Sequence, residues 1–287
     1  MTLTRIGVFD SGVGGLTVLK AMAARSPAHY LYFGDTARLP YGTKSAETVA
    51  RYAISAARFL ESQNIDLLVI ACNTATALAL PQIKDAAHVP VVGVVEPGAA
   101  MAAEVSKSRA AIVIATEATV SSHAYRDALQ RHGLVALEKA CPLFVPLVEE
   151  GWSDHPVTEQ VARIYLDEAR AQSPNGADVL VLACTHYPLI APVLRKIVPQ
   201  EMRIVDSAES TARVVKKMME VNARCHPERG EPDGERSRRT PMSAESAPSA
   251  HRTFRFYVTD SVDKFKRLAT RFLGRQVDNV EHVDLGG

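Results

Sequence analysis

The sequence predicts an α/β protein made of two similar parallel-sheet domains that face each other across a cleft. Three observations carry that expectation. Short runs rich in Val and Ile recur along the chain, each followed by a turn and a helical pattern, as parallel strands joined by crossover helices require. One strand-and-turn segment occurs twice: Asp66-Leu-Leu-Val-Ile-Ala-Cys-Asn-Thr74 matches Asp178-Val-Leu-Val-Leu-Ala-Cys-Thr-His186. The offset from Cys72 to Cys184 is 112 residues, the size of a domain and far longer than the period of a solenoid. A chain of 287 residues has room for two such units.

Taken in order, the apolar runs at 6–9, 30–33, 67–71, 91–95, 111–115, 179–183 and 203–205 read as strands buried on both faces. The clearest helix spans 45–62, where Val49, Tyr52, Ala53, Ala56, Phe59 and Leu60 share one face. Each copy of the repeat runs on into a helix-like stretch with proline, Pro81 in the first and Pro188 and Pro192 in the second. Residues 223–251 break the pattern. Pro, Ser, Glu, Arg and Gly dominate there, and such a segment buries too little apolar surface to offset the entropy of ordering. It is expected to be a flexible surface insertion. Its Arg236, Arg238 and Arg239 sit beside Glu228, Glu231, Asp233 and Glu235, the mixture of a solvated loop. A strand over 254–258 and a helix over 262–273 follow.

Composition excludes several classes. With 47% hydrophobic and 23% charged residues the chain is globular, and no apolar run of about 18 residues exists to span a membrane. Lys and Arg number 33 against 32 Asp and Glu, so no overall charge favours nucleic acid or an anionic membrane. The first residues, MTLTRIGVFDSGVGG, lack the basic and apolar regions of a secretory signal. A cytoplasmic protein with reduced thiols is expected, because four cysteines are too few for a disulfide scaffold.

Cys72 and Cys184 fall at the C-terminal ends of their strands, the edge where parallel sheets bind ligands. A cysteine just before a helix also meets the positive end of the helix dipole, which favours thiolate and lowers the thiol pKa. Neither site forms C-x-x-C, as a disulfide oxidoreductase would. Cys184 and His186 supply only two ligands for zinc, so no metal is expected. An acyl-transfer enzyme would leave one thiol idle. Two opposed acid/base groups suit a different task, in which one takes a proton from a carbon stereocentre and the other returns a proton to the opposite face. That is racemisation or epimerisation. A third cluster, Phe9-Asp-Ser-Gly-Val-Gly-Gly15, opens the first helix. It fails the dinucleotide pattern at Thr17 and has no Walker lysine, but its glycines and helix N-terminus suit a small anion such as a carboxylate. Asp10 could orient a base or bind an ammonium.

The motifs DSGVGGL, GDTARLPYG, ACNTAT, CPLFVPLVE and LACTHYPL occur in this order. Together they resemble the glutamate racemase family, of the cofactor-independent aspartate/glutamate racemase superfamily, over nearly all of 6–222 and less distinctly over 252–273. The resemblance implies Cys72 and Cys184 as acid and base, Cys72 acting on the D-enantiomer and Cys184 on the L-enantiomer. It implies an amino-acid ligand held by Asp10, Ser11, Tyr41, Gly42, Asn73, Thr74, Thr185 and His186, with Asp10 and His186 also assisting the thiols. Glu150 is a further candidate for that assistance, and Thr116, Thr119, Ser122 and Tyr125 match a polar run placed near the substrate. The resemblance also implies a discontinuous first domain, 1–97 with 207–287, and a second domain, 98–206. It implies no cofactor, a homodimer, and a supply of D-glutamate for peptidoglycan and cell shape.

Plainer readings stand beside these. Asp10 and His186 could cap helices, Asn73, Thr74 and Thr185 are ordinary N-cap residues, and Tyr41-Gly42 after Pro40 could be a turn. Cys141 reads as packing and Cys225 as a surface thiol. An aspartate or other amino-acid racemase is the alternative enzyme. A decarboxylase of substituted malonates would be expected to keep one cysteine, and a noncatalytic amino-acid-binding protein would need neither.

Overall fold

The computed structural model describes residues 3–172, 176–225 and 252–286. Ten strands occur among them: β1 Arg5–Asp10, β2 His29–Gly34, β3 Leu67–Ile70, β4 Val91–Gly93, β5 Ala110–Ala115, β6 Val135–Ala140, β7 Val179–Ala183, β8 Arg203–Asp206, β9 Thr253–Val258 and β10 Val280–His282. They form two wholly parallel sheets, β10-β9-β2-β1-β3-β4 and β6-β5-β7-β8. The order β2-β1-β3-β4 is repeated by β6-β5-β7-β8, so the sequence repeat is a repeat of topology. β9 and β10 extend the first sheet beyond β2.

Helices on both faces explain the unbroken apolar runs. All of Leu67–Ile70 and all of Val179–Ala183 are buried, and each large aliphatic removed from water contributes roughly 1.5–3 kcal/mol. Helix Ala46–Ser62 starts at Ser45, whose hydroxyl accepts the Thr48 N–H at 3.2 Å. Its buried face carries Val49, Ala53, Ala56 and Leu60, widened by Ala50 and Ala57, while Tyr52 and Phe59 pack partly exposed at its margin. The chain passes to the second sheet through helix Val95–Val105 and returns through helix Ser207–Cys225. The two pack together, and the second also packs on helix Leu16–Arg25, joined by the Arg25–Glu209 ion pair.

The structure differs from the sequence reading at several boundaries. β4 stops at Gly93, and Val95 already lies in a helix. Pro97 is tolerated in that helix's first turn, and Glu96 complements the N-terminal dipole. β6 and β10 went unrecognised because both are edge strands in which apolar residues soon give way to charged ones, at Glu138-Lys139 in β6 and at Glu281 in β10. Residues 223–225 belong to the helix begun at Ser207, whose backbone hydrogen bonds continue through polar sequence. The rest of the expected insertion, 226–251, lies outside the described residues. No described helix is long and apolar enough to cross a membrane.

The aspartate that opens each copy of the repeat secures the chain entering the neighbouring strand. Asp66 accepts the Arg5 N–H at 2.8 Å, at the first residue of β1. Asp178 does more before β5, accepting Ser106 Oγ at 2.7 Å, Lys107 N at 2.6 Å, Ser108 N at 2.9 Å and Ser108 Oγ at 2.8 Å. Burial pushes the Asp178 carboxyl up, but these bonds outweigh it and hold the group at about 2. A depressed carboxylate stabilises the fold above its unfolded pKa and loses that contribution as pH falls through its folded one. We expect Asp178→Ala to lower stability by about 1–3 kcal/mol near neutrality in urea unfolding. Its deficit should shrink between about pH 4 and pH 2; a deficit independent of pH would assign the effect elsewhere.

Candidate active site

The residues singled out in the sequence gather where strands of both sheets end. After β1, Asp10 is buried and its Oδ2 accepts the Gly12 N–H at 2.9 Å. Its Oδ1 is buried without a hydrogen-bond partner among the described residues, and burial pushes the carboxyl above its usual range. Asp10 therefore shapes its own loop rather than capping helix Leu16–Arg25, whose N-cap is Gly15. Gly14 packs closely against the other domain. A Cβ there would lie 2.2 Å from Thr185 Oγ1 and 2.5 Å from His186 Nδ1. Thr17 Oγ1 secures the same junction by donating to the Thr185 carbonyl at 3.0 Å.

Cys72 itself is the N-cap of helix Asn73–Ala86, with Sγ accepting the Ala75 N–H at 3.4 Å. Its thiol donates to Ser11 Oγ at 3.4 Å. The expectation of a lowered thiol pKa is reversed. Burial, followed by the nearby Asp10 charge, outweighs Ser11 and the backbone N–H groups and pushes Cys72 up to about 12. Asn73 is not a cap. Its Oδ1 accepts the Tyr125 hydroxyl at 2.7 Å and its Nδ2 donates to Ser207 Oγ at 3.2 Å. Thr74 Oγ1 lies 3.0 Å from Thr116 Oγ1 and 3.3 Å from Thr119 Oγ1, which are themselves 2.9 Å apart. This hydroxyl cluster joins strand ends of the two sheets. Tyr41 and Gly42 lie in a short 3₁₀ turn. The Tyr41 hydroxyl donates to buried Asp35, which also takes Arg38 Nε at 2.9 Å and Thr259 Oγ1 at 2.9 Å. Gly42 lies beside Thr116.

Across the junction, Cys184 Sγ lies 3.9 Å from His186 Nδ1, and His186 Nε2 lies 3.1 Å from Glu149 Oε1. Burial alone would lower the His186 pKa, but hydrogen bonds and charge from Cys184 and Glu149 more than offset it and raise it to about 10. The same contact overcomes burial and lowers the Glu149 carboxyl. His186 makes no cap bond to the 3₁₀ turn Tyr187–Ile190 that follows it. Phe272 meets its ring edge-on at 5.3 Å, and Arg271 Nη1 donates to the Glu149 carbonyl at 2.7 Å. The expectation for Glu150 is corrected here. Glu150 is exposed just past helix Phe144–Glu149, and its neighbour Glu149 reaches His186. Helix phase was the available signal, since Val145, one turn before Glu149, packs against the core. Ser207 and Phe272 carried no sequence signal, because each meets the site from more than 80 residues away.

Cys141 is fully buried in the core. The side chain of Cys225 lies outside what the structure describes. Among the described residues, no three His, Cys, Asp or Glu side chains group as a metal site would need. A thiol at the end of β3 beside a buried carboxyl, and a second at the matching strand end of the other sheet beside a charged imidazole, are groups that can give and take a proton.

The family model of Asp/Glu/hydantoin racemases matches residues 6–215. A glutamate racemase of Koribacter versatilis is 60% identical over 285 residues, covering 98% of both chains. The crystal structure of a Thermus thermophilus glutamate racemase with β-chloro-D-alanine superposes with a TM-score of 0.81 at 40% identity, over 98% of this chain and 97% of that one. A Francisella tularensis glutamate racemase in complex with D-glutamate gives a TM-score of 0.83 at 31% identity, over 99% of each.

A raised histidine pKa stabilises the fold below the unfolded value near 6.5, and that contribution is lost as pH rises through about 10. Glu149→Gln removes the carboxylate that helps hold the proton on His186. Titration of the imidazole followed by NMR should move down by about one unit or more. A midpoint still near 10 in the variant would show that Glu149 does not hold the charge.

Proposed function

The chain belongs to the Asp/Glu/hydantoin racemase family, an isomerase by that membership, and we propose that it interconverts L- and D-glutamate by two-base proton transfer between Cys72 and Cys184. The observation that carries this reading is the equivalence of the two thiols: each ends the same strand of the same four-strand order, one in each domain. A reaction at a stereocentre needs one acid/base group on each face.

The two environments suit a defined direction of proton flow. The His186 imidazolium offers Cys184 a charged donor, while burial keeps the proton on Cys72. In this state the Cys184 thiolate takes the α-proton of L-glutamate. The C–H electron pair moves onto the α-carboxylate, and the Cys72 S–H protonates the opposite face. The proton then resides on Cys184 and the charge on Cys72, which is the state that acts on D-glutamate. Asp10, with its unpartnered Oδ1, accepts from the substrate ammonium and assists Cys72. Charge growing on the carboxylate is met by preorganised donors: Ser11, Thr74 and Thr185 through hydroxyls or backbone, with Thr116 and Thr119 extending the hydroxyl set. Tyr41 and Asn73 have their hydroxyl and Oδ1 already engaged. They serve the substrate through backbone N–H groups, those of Tyr41 and Gly42 included, and through the remaining amide hydrogen of Asn73. D-glutamate made this way supplies peptidoglycan synthesis.

Optical rotation of either enantiomer should decay to zero, since enantiomers have equal free energy in water. Cys72→Ser and Cys184→Ser should each slow racemisation in both directions by on the order of 10²–10⁴-fold. Elimination of HCl from a β-chlorinated glutamate needs one base. There Cys72→Ser should keep activity on the L-analogue and Cys184→Ser on the D-analogue. Full racemisation by either mutant would reject the two-base mechanism. Aspartate turned over faster than glutamate would assign the alternative substrate, because one methylene separates them by only about 1–3 kcal/mol.

A further inference from the structure

Beside the proton-transfer groups lies a buried polar cluster in which Asn73 alone has a part in the steps above, while Tyr125 and Ser207 have none. Tyr125, Asn73 and Ser207 are 0%, 3% and 1% exposed. Each comes from a different element. Tyr125 lies in helix Ala124–Arg131, which packs on β6 in the second domain. Asn73 follows Cys72 at the end of β3 in the first. Ser207 opens the helix by which the chain returns from the second sheet. The Tyr125 hydroxyl donates to Asn73 Oδ1 at 2.7 Å, and Asn73 Nδ2 donates to Ser207 Oγ at 3.2 Å.

The outgoing crossover helix is fitted to the same cluster. Gly98 lies so close that a Cβ would sit 3.2 Å from both the Tyr125 hydroxyl and its Cε1. One chain of hydrogen bonds thus spans the place where both crossovers pass between the domains. Its members are buried, so a missing partner would leave a buried polar group unsatisfied. Burial, then the nearby Cys184 and Asp206, keep the Tyr125 hydroxyl protonated and a donor. Asn73 is covalently next to Cys72.

We propose that Tyr125 and Ser207 are positioning residues, which act through Asn73 to set the separation between the Cys72 strand end and the Cys184 domain. This rests on the two-cysteine reading, because only a reaction that uses both thiols in one turnover depends on their spacing. Steps that need a single base do not.

Tyr125→Phe keeps the ring and removes the donor, and Ser207→Ala removes the far end of the chain. Each variant should lower kcat for glutamate racemisation by about tenfold in both directions, since small misplacements of reacting groups are costly. HCl elimination from a β-chlorinated glutamate, in which one thiolate takes the α-proton and chloride leaves Cβ, should stay within about twofold of the parent in the same variants. Equal loss in both reactions would mean a general structural defect and overturn the proposal, as would unchanged racemisation in both variants. A substrate-free measurement separates this inference from the assigned reaction. Dibromobimane bridges two thiols only when both are in reach, and peptide mass mapping reports Cys72–Cys184 bridging against single alkylation. That ratio should change severalfold in both variants, and a ratio equal to the parent's would refute the spacing role whatever the activity. A parent that shows a spacing-dependent ratio but does not racemise glutamate would instead reject the proposed reaction.

Discussion

The two domains can close on each other because Gly14 has no side chain. A Cβ on its α-carbon would overlap Thr185 Oγ1 and His186 Nδ1, and in a close-packed interior those side chains or the backbone would have to shift to admit it. The contact brings the loop that carries Asp10 and Ser11 against the loop that carries Cys184, Thr185 and His186. Thr17 holds the junction with one hydrogen bond to the Thr185 carbonyl. Other links between strand ends are Ser11 to Cys72, Thr74 to Thr116 and Thr119, and Asn73 to Tyr125 and Ser207.

Burial governs the electrostatics of the closed junction. A helix N-terminus favours negative charge by about 0.3–1 kcal/mol, up to about 2 in partly buried settings, and one pKa unit corresponds to about 1.36 kcal/mol. Desolvation of a fully buried group can shift a pKa by several units. At Cys72 the larger effect wins, although its sulfur caps a helix. At His186 burial is opposed by two partners at once and loses to them. The domains therefore share a topology while their thiols have different neighbours, Ser11 and Asp10 beside Cys72 and His186 beside Cys184.

Support for the site comes from well beyond the repeat. β9 and the helix Val262–Leu273 have no counterpart in the second domain, yet both serve the strand ends. Thr259, just past β9, donates to Asp35 and so steadies the turn that holds Tyr41 and Gly42. Phe272 and Arg271 brace His186 and Glu149. The domain with the longer sheet thus supplies walls to both halves of the junction.

The sequence by itself determined the alternation of strands and helices, the repeat, and the placing of Cys72 and Cys184 at strand ends. Those features are written in local apolar periodicity, which survives without knowledge of partners. Partly exposed edge strands such as Val135–Ala140 escaped because their pairing is settled by the neighbouring strand and not by their own composition. The choice of Glu149 over Glu150 depends on which side of one helical turn faces His186. The engagement of Asn73 by Tyr125 and Ser207, and the reversal of the Cys72 thiol, were likewise decided by tertiary structure alone. Each depends on groups brought together from distant parts of the chain and on the exclusion of water around them, and neither is encoded in local spacing.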